Sequence, residues 1–220
     1  MRFSALAFDL DGTLYPAYRL NFRLVPFILK EQRLMRAMDR ARKQLRRDTA
    51  YDGDFYDLQA RLMGEMLDEP YEVLKEKIER LIYRGWEPLF KKVRLFPHLR
   101  ESLDAFRNAG IKMGLLSDFP PETKLENLKL GGYWDVVLCS EAVGRLKPDP
   151  ASFLELASRL ETPADRILYV GNSVIYDVGG ARNAGMKTAL IRSRWKRPAL
   201  EFIPDFVFYD YRQLRDYVLS

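Results

Sequence analysis

Short apolar runs alternate with helical patterns over most of this chain, and this alternation is the strongest constraint on its fold. Each run is too short for a core helix and is typical of a buried strand. Helical patterns separate the later runs, so we expect a parallel sheet with helices on both faces, which is an α/β fold. The runs that we interpret as strands are 3–8, 111–116, 136–139, 167–170, 188–191 and 206–208.

Residues 15–95 have a different pattern, because they show helical periodicity and no convincing strand. The strand at 3–8 needs partners, and the only candidates for them lie beyond residue 110. We therefore predict a core domain formed by 1–14 and 96–220, with a small all-helical domain inserted at 15–95. The helices predicted within the insert cover about 25–47, 55–67, 71–84 and 87–92.

The composition is that of an ordinary globular protein. Hydrophobic residues make up 47% of the 220 residues and charged residues 30%, which argues against a disordered chain. No apolar stretch approaches the length of a membrane span, and no signal-peptide pattern opens the sequence. The single cysteine, Cys139, excludes an internal disulfide and lies in a strand-like run, so we interpret it as a small buried residue. We expect a cytoplasmic protein with no membrane partner.

The net charge of +5 is concentrated in one stretch of the insert. Residues 30–47 contain eight Lys and Arg side chains, and only Glu31 and Asp39 oppose them. Such a stretch can attract anionic substrates or bind nucleic acid. We favour the solvated face of an amphipathic helix, because apolar residues recur at helical spacing in the same stretch. Steering of an anionic substrate comes second and nucleic-acid binding last.

Polar residues of complementary type follow four of the predicted strands, either directly or after a short loop. Ligands bind beyond the carboxyl ends of the strands in open parallel sheets, so these residues are expected to share one site. Two carboxylates and a Gly-Thr turn follow the first strand, and hydroxyl, lysine and amide groups follow the later ones. The candidates are Asp9, Asp11, Thr13, Ser117, Asp118, Lys147, Asn172 and Asp177.

These side chains suit phosphoryl transfer through an aspartyl phosphate. Asp9 and Asp11 repel each other unless a cation joins them, and Mg²⁺ prefers carboxylate and carbonyl oxygens. A carboxylate nucleophile needs no base, and a second carboxylate can protonate the leaving oxygen and later activate water. Ser117 and Lys147 offer the donors that phosphoryl oxygens need. The alternative is a strand that ends in an Asx-rich turn without chemistry.

Four motifs of this kind stand in series, and together they resemble those of the haloacid dehalogenase-like (HAD) hydrolase superfamily. The resemblance covers the whole chain. It implies a Rossmann-like core, Mg²⁺ as cofactor, and a mobile helical cap after the first motif, as in the phosphatase branch. The matching segments are Asp9-Leu10-Asp11-Gly12-Thr13, Leu116-Ser117-Asp118, Lys147-Pro148, and Gly171-Asn172-Ser173 with Asp177.

The resemblance also implies a role for each matching residue. Asp9 is expected to be the nucleophile, and Asp11 to be the general acid and base that also gives its backbone carbonyl to the metal. Lys147 is expected to be catalytic and phosphate-binding, because it neutralises charge between Asp9 and the phosphate. Ser117, with Asp118 beside it, is expected to bind the phosphoryl group. The implied metal ligands are Asp9, Asp11, Asn172 and Asp177.

Two positions modify this expectation. Asn172 stands where the family usually has Asp, and an amide offers an oxygen without charge. We therefore expect weaker Mg²⁺ binding, with Asp177 as the charged ligand. Dehalogenases of the family lack a carboxylate at the position of Asp11, because halide leaves without a proton. Asp11 therefore favours a phosphate ester or anhydride as substrate.

The sequence thus predicts a Mg²⁺-dependent phosphatase that hydrolyses a small phosphorylated metabolite. A phosphomutase, a nucleotidase or a pyrophosphatase of the same superfamily would use the same residues. A non-catalytic protein that binds a phosphate ligand is the alternative from another class. The substrate and the oligomeric state stay open. Weaker candidates for substrate contact in the insert are Phe22, Arg23, Phe55 and Tyr56.

Overall fold

The computed structural model describes residues 2–47, 54–193 and 201–220. Within these ranges six strands form one parallel sheet in the order β3-β2-β1-β4-β5-β6. They are β1 (Ala5–Phe8), β2 (Lys112–Ser117), β3 (Val136–Cys139), β4 (Ile167–Gly171), β5 (Lys187–Ile191) and β6 (Phe206–Phe208). Since β1 lies between β2 and β4, the strand order reverses around it. The predicted parallel α/β fold is confirmed.

The segment after β1 is helical, as the sequence predicts. It contains α1 (Ala17–Lys30), α2 (Gln32–Arg47), α3 (Phe55–Leu67), α4 (Tyr71–Ile78), a π-helical turn (Glu79–Tyr83) and α5 (Arg84–Phe90). The prediction of one helix over 25–47 is wrong, because the helical backbone is interrupted at Glu31 and α1 begins earlier. No helix in the described ranges is long and apolar enough to cross a membrane.

The helices of this segment share a small apolar core of their own. Leu34, Met38 and Ala41 lie on one face of α2, at the spacing that a helix needs to bury a stripe. They pack with residues of α3 and α4, including Met63 and Leu74. This separate cluster supports the predicted cap, whose boundaries at 15 and 95 stay a prediction.

The sheet is covered on both faces by α-helices that follow the helical segment along the chain. These helices are α6 (Leu99–Asn108), α7 (Glu122–Asn127), α8 (Ser140–Val143), α9 (Pro150–Arg159), α10 (Gly180–Asn183) and α11 (Tyr211–Leu219). Along β1, Leu6 and Phe8 pack with residues of α6 and α11, whereas Ala5 and Ala7 pack with residues of α9 and α10. Because both faces are covered, β1 is apolar at consecutive positions instead of alternating.

A buried ion pair joins the helical segment to the core. Arg42 of α2 contacts the carboxylate of Glu141 on α8, and both residues are buried. The Arg42 guanidinium also lies 4.0 Å from the ring centroid of Phe119, and the Tyr83 hydroxyl donates to Glu141 Oε1 at 3.1 Å. Breaking one side of such a pair leaves an uncompensated buried charge. This contact therefore holds α2 against the loops at the carboxyl ends of the strands.

The packing of α9 gives a test of the fold. The Phe153 ring is fully buried, with its centroid 4.8 Å from that of Tyr169 on β4. We expect Phe153→Ala to lower the free energy of unfolding by about 3–5 kcal/mol, because the truncation leaves a cavity. Leu154→Ala, on the 49% exposed neighbour, should change it by less than about 0.5 kcal/mol. Urea unfolding followed by circular dichroism measures both, and equal losses would contradict this packing.

Candidate active site

The carboxyl ends of three adjacent strands bring the candidate residues together. Asp9 follows β1, Ser117 ends β2 and Asn172 follows β4. The backbone N–H of Asp9 donates to the carbonyl of Val170 at 2.9 Å, so β1 and β4 remain paired up to the site. The order of the strands therefore places three of the four motifs side by side.

Lys147 supplies the fourth motif and lies at the centre of the site. Its ammonium donates to Asp9 Oδ1 at 2.7 Å and to Asp177 Oδ1 at 2.8 Å. All three side chains are nearly inaccessible, with exposed side-chain fractions of 4% for Lys147, 8% for Asp9 and 2% for Asp177. One buried cation thus bridges two buried carboxylates.

The charges of this cluster do not balance. Burial and the negative charge of Asp177 raise the pKa of Asp9 to about 7, although Lys147 acts in the opposite direction. Burial by itself would lower the pKa of Lys147, but Asp177 and Asp9 outweigh it and raise the pKa well above its usual value. Two carboxylates against one ammonium leave a net negative charge. A further cation at this position would stabilise the ionised form of Asp9.

Asp177 also shapes the loop after β4. Its Oδ2 accepts the backbone N–H groups of Asn172 and Ser173 at 3.0 and 2.9 Å. A Cβ atom on Gly171 would lie 2.3 Å from Asp177 Cβ, so only glycine fits there without displacing the carboxylate. The position of the Asp177 carboxylate therefore depends both on the glycine at 171 and on the backbone N–H groups of the loop after β4.

The turn after Asp9 is held by hydrogen bonds and by a glycine. The Thr13 hydroxyl donates to Asp9 Oδ2 at 2.6 Å and lies 3.3 Å from Asn172 Oδ1. The carbonyl of Thr13 accepts a bond from the Tyr211 hydroxyl at 2.6 Å. Gly12 has φ +93°, and a Cβ atom on it would lie 2.3 Å from Asn172 Nδ2. The turn thus brings the oxygens of Asp9 and Asn172 next to one hydroxyl.

Asp11 occupies a different environment from Asp9. Its side chain is 34% exposed, whereas that of Asp9 is 8% exposed. The hydroxyl of the buried Tyr15 donates to Asp11 Oδ1, and the ammonium of Lys124 donates to Oδ2 at 2.6 Å. Two neighbouring carboxylates in such different surroundings can take different roles.

Ser117 and Asp118 were both expected to bind phosphate, and the structure separates them. Ser117 is 1% exposed, and its hydroxyl accepts the N–H of Phe119 at 3.2 Å while keeping its own hydrogen to donate. The Asp118 carboxylate instead accepts bonds from Arg46, Ser140 and the backbone of Lys147. An occupied, negatively charged side chain does not bind phosphate. Phosphate binding at Asp118 stays a prediction, and it would have to use the backbone N–H because the carboxylate is already paired.

The cations around Asp118 have a larger effect on its pKa than burial has. Burial alone would raise its pKa, but the charges of Lys147, Arg42 and Arg46 outweigh burial and lower the pKa below its usual value. Arg46 lies 2.8 Å from Asp118 Oδ2 and also donates to the carbonyl of Lys147 at 2.9 Å. Asp118 therefore connects α2 to the loop that carries Lys147.

The oxygens of the site suit a hard divalent cation. The carboxylate of Asp9 and the side-chain oxygen of Asn172 lie 2.6 and 3.3 Å from the same Thr13 hydroxyl, and both are ligand types that Mg²⁺ accepts. In the described ranges no three His, Cys, Asp or Glu side chains cluster in a way that could hold a metal. A magnesium site here would accordingly combine carboxylate, amide and backbone oxygens, and it fits the net negative charge of the cluster.

Comparison with known proteins identifies the family. The model for haloacid dehalogenase-like hydrolases matches residues 3–185. The chain belongs to this family. The predicted superfamily is confirmed, and with it the prediction that the protein is a hydrolase.

Individual HAD relatives resemble the chain over nearly its whole length. Glyceraldehyde 3-phosphate phosphatase of Methanopyrus kandleri is 28% identical, covering 97% of this chain and 96% of its own. N-acetylmuramic acid 6-phosphate phosphatase of Pseudomonas aeruginosa is 29% identical, covering 90% and 85%. The crystal structure of a HAD phosphatase from Thermococcus onnurineus is 26% identical, with TM-score 0.67 and coverage of 98% and 97%.

The insert residues of this HAD protein that were weaker candidates for substrate contact lie outside the cluster around Lys147. Phe22 and Arg23 line an open groove beside α1, and Tyr56 lines a cavity between α3 and α4. Phe55 is buried in a small cluster that includes Leu146. Cys139 is buried as expected, and burial with the nearby Glu141 raises its pKa to about 12. A thiol with such a pKa is not a nucleophile at neutral pH.

Sequence reasoning missed several residues that contact the site. Arg42 carried a signal, because it interrupts the apolar face of α2 between Met38 and Leu45 and therefore had to be paired. The interpretation of the basic stretch as a solvated face is wrong for Arg42, which is buried, and Arg46 is bonded to the core. Lys124 carried no such signal, since only the fold brings it to Asp11.

The Asp118 ion pairs predict a pH-dependent stability. Since the pKa of Asp118 is lowered by folding, its stabilisation is complete at neutral pH and is lost as the pH falls through that lowered value. Asp118→Asn should lower the free energy of unfolding by about 3 kcal/mol at pH 7, because Arg46 loses the carboxylate it pairs with at 2.8 Å. The difference from wild type should shrink below about pH 4. Urea unfolding at several pH values measures it, with the exposed Asp39→Asn as control. A pH-independent difference would contradict the assignment.

Proposed function

We propose that this HAD hydrolase is a Mg²⁺-dependent phosphatase that acts on a small phosphorylated metabolite through an aspartyl phosphate at Asp9. The observation that carries the proposal is the Lys147 ammonium held between Asp9 and Asp177, at 2.7 and 2.8 Å. The arrangement supports a nucleophile that must be ionised and freed of repulsion before a phosphate approaches. The names of the relatives, which specify small phosphorylated sugars, support the substrate class.

In the first step Asp9 attacks the phosphorus atom and the ester oxygen leaves. Lys147 offsets the negative charges of the carboxylate and the incoming phosphate, and Ser117 donates to a phosphoryl oxygen. Asp11, which is more exposed than Asp9, gives its proton to the leaving oxygen. The products of this step are the free alcohol and an acyl phosphate on Asp9.

In the second step Asp11, now ionised, accepts a proton from water, which attacks the phosphorus of the acyl phosphate. Inorganic phosphate leaves and the Asp9 carboxylate returns to its starting state. Asp11 regains its proton in this step, so each cycle restores both carboxyl groups. A rapid second step separates a phosphatase from a phosphomutase, which would keep the acyl phosphate for another hydroxyl.

Mg²⁺ would be held by Asp9, the backbone carbonyl of Asp11, Asn172 and Asp177. When bound, it supplies positive charge that screens the nucleophile from the phosphate. Asn172 supports the expectation of weaker metal binding than in relatives with a carboxylate there. Asp177, which already contacts Lys147 and two backbone N–H groups, has carboxylate lone pairs left for such a contact.

The roles of Asp9 and Asp11 can be tested separately with a phosphate ester whose leaving group needs no proton. With p-nitrophenyl phosphate, Asp11→Asn should release about one nitrophenolate per site rapidly and then turn over about 10²–10⁴-fold more slowly than wild type. The reason is that attack needs no acid with this ester, whereas hydrolysis of the acyl phosphate needs a base. Stopped-flow absorbance measures the burst, and mass spectrometry of the quenched protein measures phosphorylated Asp9.

Three controls accompany this experiment. Asp9→Asn should show neither burst nor turnover, because it lacks the nucleophile. Asp216→Asn, which removes an exposed carboxylate paired with Arg215, should behave as wild type. Removal of Mg²⁺ with EDTA should stop turnover of the wild type. Turnover by Asp9→Asn, or no hydrolysis of any phosphate monoester by the wild type, would refute the proposal.

Asn172 gives a separate test of the metal site. Asn172→Asp adds the carboxylate that the family usually has, and it should lower the Mg²⁺ concentration for half-maximal activity by about tenfold. Asn108→Asp adds the same charge at an exposed position at the end of α6, so it should leave that concentration unchanged. Titration of the initial rate with Mg²⁺ measures both. Equal effects of the two variants would show that residue 172 does not contact the metal.

A further inference from the structure

Arg46 of α2 contacts three of the four motif segments, although the proposed mechanism gives it no role. Its Nη2 donates to Asp118 Oδ2 at 2.8 Å, and its Nε donates to the carbonyl of Lys147 at 2.9 Å. The same guanidinium lies 4.6 Å from the ring centroid of Tyr176, which directly precedes Asp177 in the fourth motif. The side chain of Arg46 is 17% exposed, so most of it is shielded from water.

Arg46 and Asp118 together bind both backbone polar groups of Lys147. The N–H of Lys147 donates to Asp118 Oδ1 at 3.1 Å, and its carbonyl accepts the bond from Arg46 Nε. Because the guanidinium also pairs with the other oxygen of the same carboxylate, the three residues form a closed ring of hydrogen bonds. Hydrogen bonds that involve charged groups are stronger than those between neutral groups, and the planar guanidinium makes them directional.

This ring holds the backbone from which the catalytic ammonium extends. Lys147 lies in the loop between α8 and α9, outside the helices and strands of the described ranges. Its side chain places the ammonium between Asp9 and Asp177, at 2.7 and 2.8 Å. A shift of the loop backbone would move the ammonium away from at least one of these carboxylates. A displacement of about 1 Å in a catalytic group can lower a rate about 100-fold.

The contacts of Arg46 direct its guanidinium toward the protein. Nε and Nη2 form one edge of the planar group, and that edge faces Asp118 and Lys147. One face of the group lies over the ring of Tyr176. Its positive charge is offset by the Asp118 carboxylate, whose side chain is only 14% exposed. Arg46 is therefore not placed to bind phosphate, and its effect on the reaction must pass through the residues that it holds.

We propose that Arg46 is a positioning residue for Lys147, so that the helical insert supplies a group on which phosphoryl transfer depends. The inference rests on the proposed function, in which the Lys147 ammonium offsets the charges of Asp9 and of the incoming phosphate. While α2 lies against the core, Arg46 holds the Lys147 backbone and keeps the ammonium in place. Without the guanidinium the carbonyl of Lys147 loses this partner, the loop shifts, and attack by Asp9 is slower.

The rate of the first chemical step tests this role. With p-nitrophenyl phosphate and the enzyme in excess, nitrophenolate release in a single turnover reports the attack by Asp9. At saturating enzyme the rate constant is the same whatever fraction of the protein is folded, so a purely structural defect does not change it. Arg46→Met, which removes the guanidinium and keeps an apolar stem, should lower this rate constant by about 10- to 100-fold. Stopped-flow absorbance measures it.

Further variants assign the effect to the guanidinium, and they carry the test if Arg46→Met does not fold. Arg46→Lys keeps the charge but lacks a planar group that bridges Asp118 and the Lys147 carbonyl, so it should recover only part of the rate constant. Arg46→Ala opens space for a free ion, and added guanidinium chloride should raise its rate constant by about threefold or more, unlike sodium chloride. Lys43→Met removes an exposed lysine of α2 that pairs with Asp39, and it should behave as wild type.

The outcomes separate this inference from the proposed function. A wild-type rate constant in Arg46→Met would overturn the positioning role and leave the phosphatase assignment intact. A loss that Arg46→Lys does not recover, and that guanidinium does not restore in Arg46→Ala, would also overturn it, because the loss would not depend on the guanidinium. If the wild type releases no nitrophenolate and hydrolyses no other phosphate monoester, both the function and this inference are wrong.

Discussion

The buried ammonium of Lys147 is the interaction on which the rest of the site depends. It draws together Asp9 and Asp177, which lie far apart in the chain and follow neighbouring strands. Without it, two buried carboxylates would repel each other, and the raised pKa of Asp9 would rise further. The glycine at 171 and the turn at Thr13 then fix the orientation of each carboxylate around this one charge.

A second group of charges connects the helical insert to the same loop. Arg46 reaches both the Asp118 carboxylate and the carbonyl of Lys147, while Arg42 pairs with Glu141. Some of the basic residues that raise the net charge of the insert are thus structural, because Arg42 and Arg46 pair with carboxylates of the core. A change in the position of α2 would act directly on the backbone of Lys147. The position of α2 and that of the loop that carries Lys147 are coupled in this way.

Much of the fold could be predicted because strands and motifs are local signals. The six strands lie within two residues of their predicted positions, since short apolar runs bounded by turns have few alternatives. The long helix predicted over 25–47 was wrong, because its apolar periodicity continues through Glu31 although the backbone does not. The motif that contains Ser117 and Asp118 predicts that both residues bind the phosphoryl group. Only the arrival of Arg46 from a distant helix shows that its carboxylate is already paired.

The sequence by itself determined the family, the order of the strands along the chain and the residue types that follow them, because these depend on patterns within a few residues. The tertiary structure decided which charges meet. Asp9 pairs with Lys147, Asp11 with Lys124 and Asp118 with Arg46, and each partner lies far away in the chain. Coulombic interactions act through space at distances of a few ångströms. Residue spacing along the chain therefore could not reveal that Asp9 and Asp11, two positions apart, have different partners.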